Sequence, residues 1–260
     1  MLGTLVNVAA IVIGASAGAL LGGRLPARVR TGTTDVVGLF VLVLGVSDAL
    51  VTFGDDLRVA LGAAGVLVVL GALVLGGAVG ELVDLEARLT WVGGRLNDLV
   101  RRGEPSLAAA SGPGREAIER PVAPHDPRHR FVEGFVVTTL VVCVGPLAIL
   151  GALQDGLSGD VQLLAVKAIL DGAVALSFAS ALGIGVAFAA APLLVWQGGI
   201  TLGASAIAPL VTDPMLLALT ATGGVLVVGI GLRLLEIRQV RVANLLPALL
   251  LAPLGAALLT

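Results

Sequence analysis

The sequence predicts an all-α polytopic membrane protein of about eight transmembrane helices, with a broken or re-entrant sixth span and a weak internal repeat. Three observations predict it. Mean hydropathy is +1.04, with 57% of residues hydrophobic and only 13% charged, far from the composition of a water-soluble domain. Apolar runs of about 20 residues recur along the chain, the length that crosses a bilayer as a helix. No alternating barrel pattern accompanies them, so the backbone has to be satisfied within helices. Net charge is -2, which leaves no basic footprint for nucleic acid. A single cysteine, Cys143, excludes disulfide scaffolding and a cysteine-rich metal site, and no cofactor is implied.

The first span covers residues 4–22. Within it Gly14-Ala15-Ser16-Ala17-Gly18 matches the nucleophile-elbow pattern, but an elbow needs a strand-to-helix turn and a histidine partner. This stretch is mid-span, and both histidines, His125 and His129, lie in a distant polar segment. Ala10, Gly14, Gly18 and Gly22 instead form a small-residue stripe that lets a neighbouring helix approach closely. Such a stripe serves a homodimer or packing within the chain. Arg24, Arg28 and Arg30 follow the span and no basic segment precedes it, which suits an uncleaved anchor rather than a signal peptide.

The second span, 36–53, starts from that arginine loop, and the third, 59–79, follows an acidic loop at Asp55 and Asp56. By the positive-inside rule the arginine loop is cytoplasmic and the N-terminus is outside. From Leu82 onward, Leu85, Leu89, Val92, Leu96 and Leu99 recur at three- and four-residue steps between charges, the pattern of an amphipathic helix. Trp91 suits a helix lying at the lipid interface. Residues 103–130 hold five of the twelve prolines and read as a flexible linker. The expected organisation is therefore membrane spans 1–3 in 1–81, a cytoplasmic helix and linker in 82–130, and membrane spans 4–8 in 131–260.

The fourth span is 131–153, and it aligns with the second at an offset of one hundred residues, Gly45 with Gly145 and Asp55 with Asp155. Gln154 and Asp155 fit a helix-end turn better than a vestibule. The fifth span begins at Val161 within an apolar run reaching Ala191, and the sixth occupies 192–211 between Pro192 and Pro209. If both cross, the seventh span, 215–235, delivers Arg233, Arg238 and Arg241 to the cytoplasm. The charge rule favours that arrangement, with a last span over 242–259 and both termini outside.

Cys143-Val-Gly-Pro146, the loop Leu153-Gln154-Asp155-Gly156-Leu157-Ser158-Gly159-Asp160, Lys167-Ala-Ile-Leu-Asp171-Gly172, Gln197-Gly198, Gly223-Gly224, Gly229-Ile-Gly231-Leu and Asn244-Leu-Leu-Pro247 together resemble the YqgA-like bacterial integral membrane proteins, the domain of unknown function 554 family. The opening Gly3-Thr4-Leu5-Val6-Asn7 is similar to that family's N-terminus. The resemblance implies a multi-pass protein of the bacterial cytoplasmic (inner) membrane. It implies no substrate and no catalytic residue.

Function then has to come from polar residues inside the apolar runs. Lys167 is the only lysine among sixteen basic side chains, and Asp171 lies four residues on, on the same helix face. A charge at the bilayer centre costs roughly 3 kcal/mol on insertion scales, so it faces a partner or a wet cavity. Gln197, Thr201 and Ser205 repeat at four-residue steps on the sixth span. With Asn7 and Asn244 from the terminal spans, these residues are the expected ligand- or ion-binding set of a transporter or channel for a small solute or ion. Asp48 lies nearer an outer mouth. The competing readings are a structural Lys167–Asp171 pair, a Lys167 that snorkels to the outer interface, and a non-transporting scaffold or signalling protein acting through the cytoplasmic loop. An enzyme is not expected, because no span contains a histidine or an HExxH motif.

Overall fold

Apolar stretches in this chain become helices, and glycine or proline marks most places where they stop. In the computed structural model, which describes residues 1–24, 26–101, 127–144 and 146–260, the α-helices are α1 (Leu2–Arg24), α2 (Ala27–Ala49), α3 (Asp55–Leu61), α4 (Ala64–Val83), α5 (Leu85–Arg101), α6 (Pro127–Val144), α7 (Pro146–Leu157), α8 (Gln162–Leu182), α9 (Ala190–Leu202), α10 (Ala204–Ile207), α11 (Asp213–Leu234) and α12 (Ala248–Ala257). No strand occurs among the described residues.

Among the described residues, six helices are long and apolar enough to cross a membrane, and a bent pair brings the number to seven. The last expected span corresponds to a shorter apolar segment, Val242–Ala257, so length and composition alone do not establish the count of eight. The bent pair is the fourth span, where His129–Cys143 and Leu147–Leu157 meet at 62°. The expected sixth span, 192–211, is broken at Gly203 between α9 and α10, and the fourth span carries a second break that the sequence reading did not place. Pro146 supplies the reason: a proline offers no N–H to the carbonyl four residues before it. Pro192, by contrast, sits in the first turn of α9, where a missing N–H costs nothing.

The apolar run from Val161 to Ala191 is also cut earlier than expected. Gly183 takes φ 88° and ends α8 after Leu182, a conformation that a side chain resists. The sixth pass is therefore Ile184–Leu202, a 3-10 turn leading into α9, rather than 192–211. Of the expected loop over 82–130, α5 is present as an amphipathic helix. Residues 127–130 already belong to α6, and the flexible-linker reading, with His125, falls on 102–126, outside the described residues.

Helix pairs are set by small residues. A Cβ built on Gly14, Gly18 or Gly22 would lie 2.2, 2.1 or 2.3 Å from the carbonyl oxygen of Gly172, Leu176 or Ser180. The α1 stripe thus faces α8 within the same chain, and the two helices run parallel. Gly45 and Gly224 bring α2 and α11 together antiparallel, while Gly76 and Gly80 seat α4 on Ala248 and Asn244. One end of the bundle carries Asp55, Asp56, Asp155, Asp160 and Asp213, and the other gathers Arg24, Arg28, Arg88, Arg95, Arg233, Arg238 and Arg241.

Candidate functional site

Because α1 and α8 lie almost backbone to backbone, short side chains reach across them. Asn7 on α1, Asp171 on α8 and Gln197 on α9 are all buried. The Asn7 amide Nδ2 donates to Asp171 Oδ2 at 3.0 Å and to Gln197 Oε1 at 3.1 Å. Gln197 Nε2 donates to Thr4 Oγ1 at 3.2 Å, and Thr201 Oγ1 donates to the Gln197 carbonyl at 3.0 Å. Since a hydroxyl has one proton, the 3.2 Å contact between Thr4 and Thr201 has Thr4 as donor. Both hydroxyl protons and both Asn7 amide protons thus have an assigned direction.

Lys167 points inward, not toward the bundle end: its side chain is 6% exposed and pairs with Asp171. Its ammonium also donates to the Val142 carbonyl at 2.9 Å. In a continuous helix that carbonyl would accept from residue 146, which is proline. The lysine therefore satisfies an acceptor that the break in the fourth span leaves open, and ties that break to Asp171. Salt-bridging and hydrogen bonding here are one device.

One atom of the network is left over. Asn7 Oδ1 is buried and has no hydrogen-bond partner. Flipping the amide would set oxygen against Asp171 Oδ2 and Gln197 Oε1, so the network itself fixes this orientation. At the acidic end of the same cluster, Asp155 is buried, accepts from the Thr4 backbone N–H at 3.4 Å and lies 2.8 Å from the Met1 amino group.

Of the residues expected from sequence, Asn7, Lys167, Asp171, Gln197 and Thr201 converge. Ser205 does not. It is exposed because α9 stops at Leu202 and Gly203 starts a new short helix, so the four-residue register is lost. Asn244 is buried at the arginine-rich end, where its Oδ1 accepts from the Glu86 backbone N–H at 2.7 Å. Asp48 is half-buried near the end of α2. Thr4 and Asp155 belong to the network although the sequence reading left them out. Thr4 sits three residues before Asn7, a helical neighbour, and this spacing was the available signal.

Two cavities of the molecule are lined by other residues. One, of about 670 Å³, lies at the arginine-rich end between α5, α6 and α11 and includes Glu86, Glu133 and Arg233. There Arg233 pairs with Glu86 and lies 3.6 Å from Glu133, while Glu86 Oε2 accepts from the Ala243 N–H at 3.0 Å. The other, of about 640 Å³, is lined by apolar side chains of α6, α9, α11 and α12. Among the described residues no group of three or more His, Cys, Asp or Glu side chains is placed to hold a metal.

Comparison with known proteins follows the whole length of this architecture. The family model described as Protein of unknown function (DUF554) matches residues 2–257. The chain is 31% identical to "Uncharacterized protein YqgA" of Escherichia coli K12, over 99% of this chain and 97% of that one. It is 28% identical to "Uncharacterized membrane protein YdfK" of Bacillus subtilis 168, over 97% and 94% respectively. No solved structure matches the chain.

Proposed function

The chain is a membrane protein of the DUF554 family, and from that premise we propose that it carries a small polar solute or ion across the bacterial cytoplasmic membrane through the network around Asp171. The observation that supports this reading is that six buried polar side chains of α1, α8 and α9, those of Thr4, Asn7, Lys167, Asp171, Gln197 and Thr201, form one network that leaves a single acceptor, Asn7 Oδ1, unpartnered. Polar groups inside a membrane bundle are costly and concentrate where something hydrophilic binds or passes. In this reading the sealed network is an occluded arrangement. Access opens by movement at the Pro146 break, which Lys167 tethers, and at Gly183 and Gly203, which bound the pass through α9. The arginine-rich end faces the cytoplasm by the positive-inside rule, which places both termini outside.

Flux of a panel of ions and metabolites into proteoliposomes tests the proposal. The Asp171→Asn variant is expected to fall to the protein-free background while remaining folded in detergent. Flux indifferent to that substitution would remove the network from the pathway.

A second reading, a scaffold or signalling protein acting through 82–130, is favoured by the fact that Lys167 and Asp171 satisfy each other as a buried pair. Under it the pair only holds α6, α8 and α1 together. No flux from any member of the panel, with full stability in a Lys167→Met/Asp171→Leu double variant, would decide for this reading.

A further inference from the structure

The two cavities that the network does not use lie one helical turn apart. On α6, Val132 and Glu133 line the polar cavity and Phe135 and Val136 line the apolar one. Val132 and Val136 share a helix face and are about 6 Å apart along the axis. On α5, Thr90 and Trp91 line the first and Leu89 the second. From there the apolar groove continues along α12 to Leu254 and along α11 to Met215, toward the acidic end of the bundle. We propose that the pair of cavities is a binding site for one phospholipid whose headgroup carries both a phosphate and an amine, the headgroup in the polar cavity and an acyl chain in the groove.

Chemistry selects this occupant. The groove is apolar almost throughout and opens sideways from a membrane bundle, so hydrocarbon fills it; an empty apolar space forfeits dispersion contacts on every side. The polar cavity carries Asp84, Glu86 and Glu133 against Arg233 and Arg241, one negative charge in excess, and protonating His129 only balances it. A net-anionic headgroup is therefore disfavoured, and a zwitterion meets both signs. Arg233 Nε and His129 Nδ1 are buried without a hydrogen-bond partner, each 3.6 Å from a Glu133 oxygen. The phosphate accepts from Arg233, and the ammonium donates to Asp84 and Glu133. Trp91, with Arg95 stacked 5.0 Å from its ring centroid, stands at the cavity where interfacial tryptophans are favoured.

The chain has two tryptophans, and each lines one of the cavities: Trp91 the polar one and Trp196 the groove. A Trp91→Phe protein thus leaves Trp196 as the sole reporter. It is reconstituted into vesicles of equimolar phosphatidylethanolamine and phosphatidylglycerol, with brominated acyl chains on one lipid or the other. Quenching of Trp196 is expected to be several-fold stronger when phosphatidylethanolamine carries the bromine, and the difference is expected to vanish in Glu133→Gln. Arg233→Gln should act alike, but because Arg233 also pairs with Glu86 the isosteric Glu133→Gln is the deciding variant. Equal quenching by both lipids would mean ordinary boundary lipid, and stronger quenching by phosphatidylglycerol would reverse the headgroup assignment. A preference that survives Glu133→Gln would uncouple the groove from the polar cavity. Each of these three results overturns the proposal.

Discussion

Asp171 is the residue on which the buried network turns, since it accepts from both Lys167 and Asn7. Removing its charge leaves an ammonium in low dielectric with only neutral acceptors, the Val142 carbonyl and the new amide oxygen. Asp171→Asn is expected to lower stability by about 3–5 kcal/mol, the usual cost of breaking a buried pair from one side. Replacing both partners with apolar residues, as in Lys167→Met/Asp171→Leu, should restore most of it. Unfolding in detergent micelles measures the difference. Gln197→Leu acts through neutral bonds: it withdraws an acceptor from Asn7 and a donor from Thr4, for a loss of about 1–3 kcal/mol. A Gln197→Glu variant that matched the wild type in the same unfolding assay would contradict the donor direction assigned here, because Thr4 accepts from the amide nitrogen.

At the scale of elements, close backbone approach and one proline decide the geometry. A Cβ on Gly80 would lie 1.8 Å from the Asn244 carbonyl oxygen, with no flexible side chain to yield. Gly80→Ala should therefore push α4 away from the 242–245 turn and cost more than the ~1–3 kcal/mol typical of overpacking, as a lowered melting temperature. Pro146→Ala tests the fourth span. It returns an N–H to the Val142 carbonyl, so α6 and α7 are expected to straighten and Lys167 to lose one acceptor. Spin labels on exposed positions of the two helices would report the distance between them. An unchanged distance would show that packing, not the missing N–H, holds the 62° bend. This element also marks the limit of sequence reading: prolines at 146, 192 and 209 look alike in the chain. Only position within a helix separates a proline that breaks it from one that is tolerated in its first turn.

For the whole molecule, the described arginines, Arg58 excepted, gather at one end, where acidic side chains such as Glu86 and Glu133 accompany them. Single cysteines introduced in a Cys143→Ala background at Asp56 and Asp160, and at Arg95 and Arg238, are expected to separate cleanly. A membrane-impermeant maleimide added to intact cells should label the first pair and spare the second. Labelling of the second pair alone would invert the bundle, and mixed labelling would contradict a shared face for each pair. Helical class, membrane residence and family were legible from composition, from the recurring apolar runs and from the motifs around Lys167 and Gln197. So was most of the network, because helical spacing alone puts Lys167 beside Asp171 and Gln197 beside Thr201. Ser205 and Asn244 stand apart from the network for different reasons: α9 breaks at Gly203 before Ser205, and Asn244 lies at the start of Val242–Ala257, the end of the bundle opposite Asn7.

What the sequence determined by itself is local and periodic. Hydrophobic length sets a helix in lipid, four-residue spacing sets a shared face, and small residues announce that some helix will come close. Which helix comes close was decided only by the tertiary structure. The α1 stripe met α8 rather than a second copy, and that meeting brought Asn7 to Asp171 across more than 160 positions. The physical reason is that lipid and helix interior are equally apolar, so pairing between spans is chosen by backbone fit and by a few buried hydrogen bonds. Neither quantity is written along a single helix.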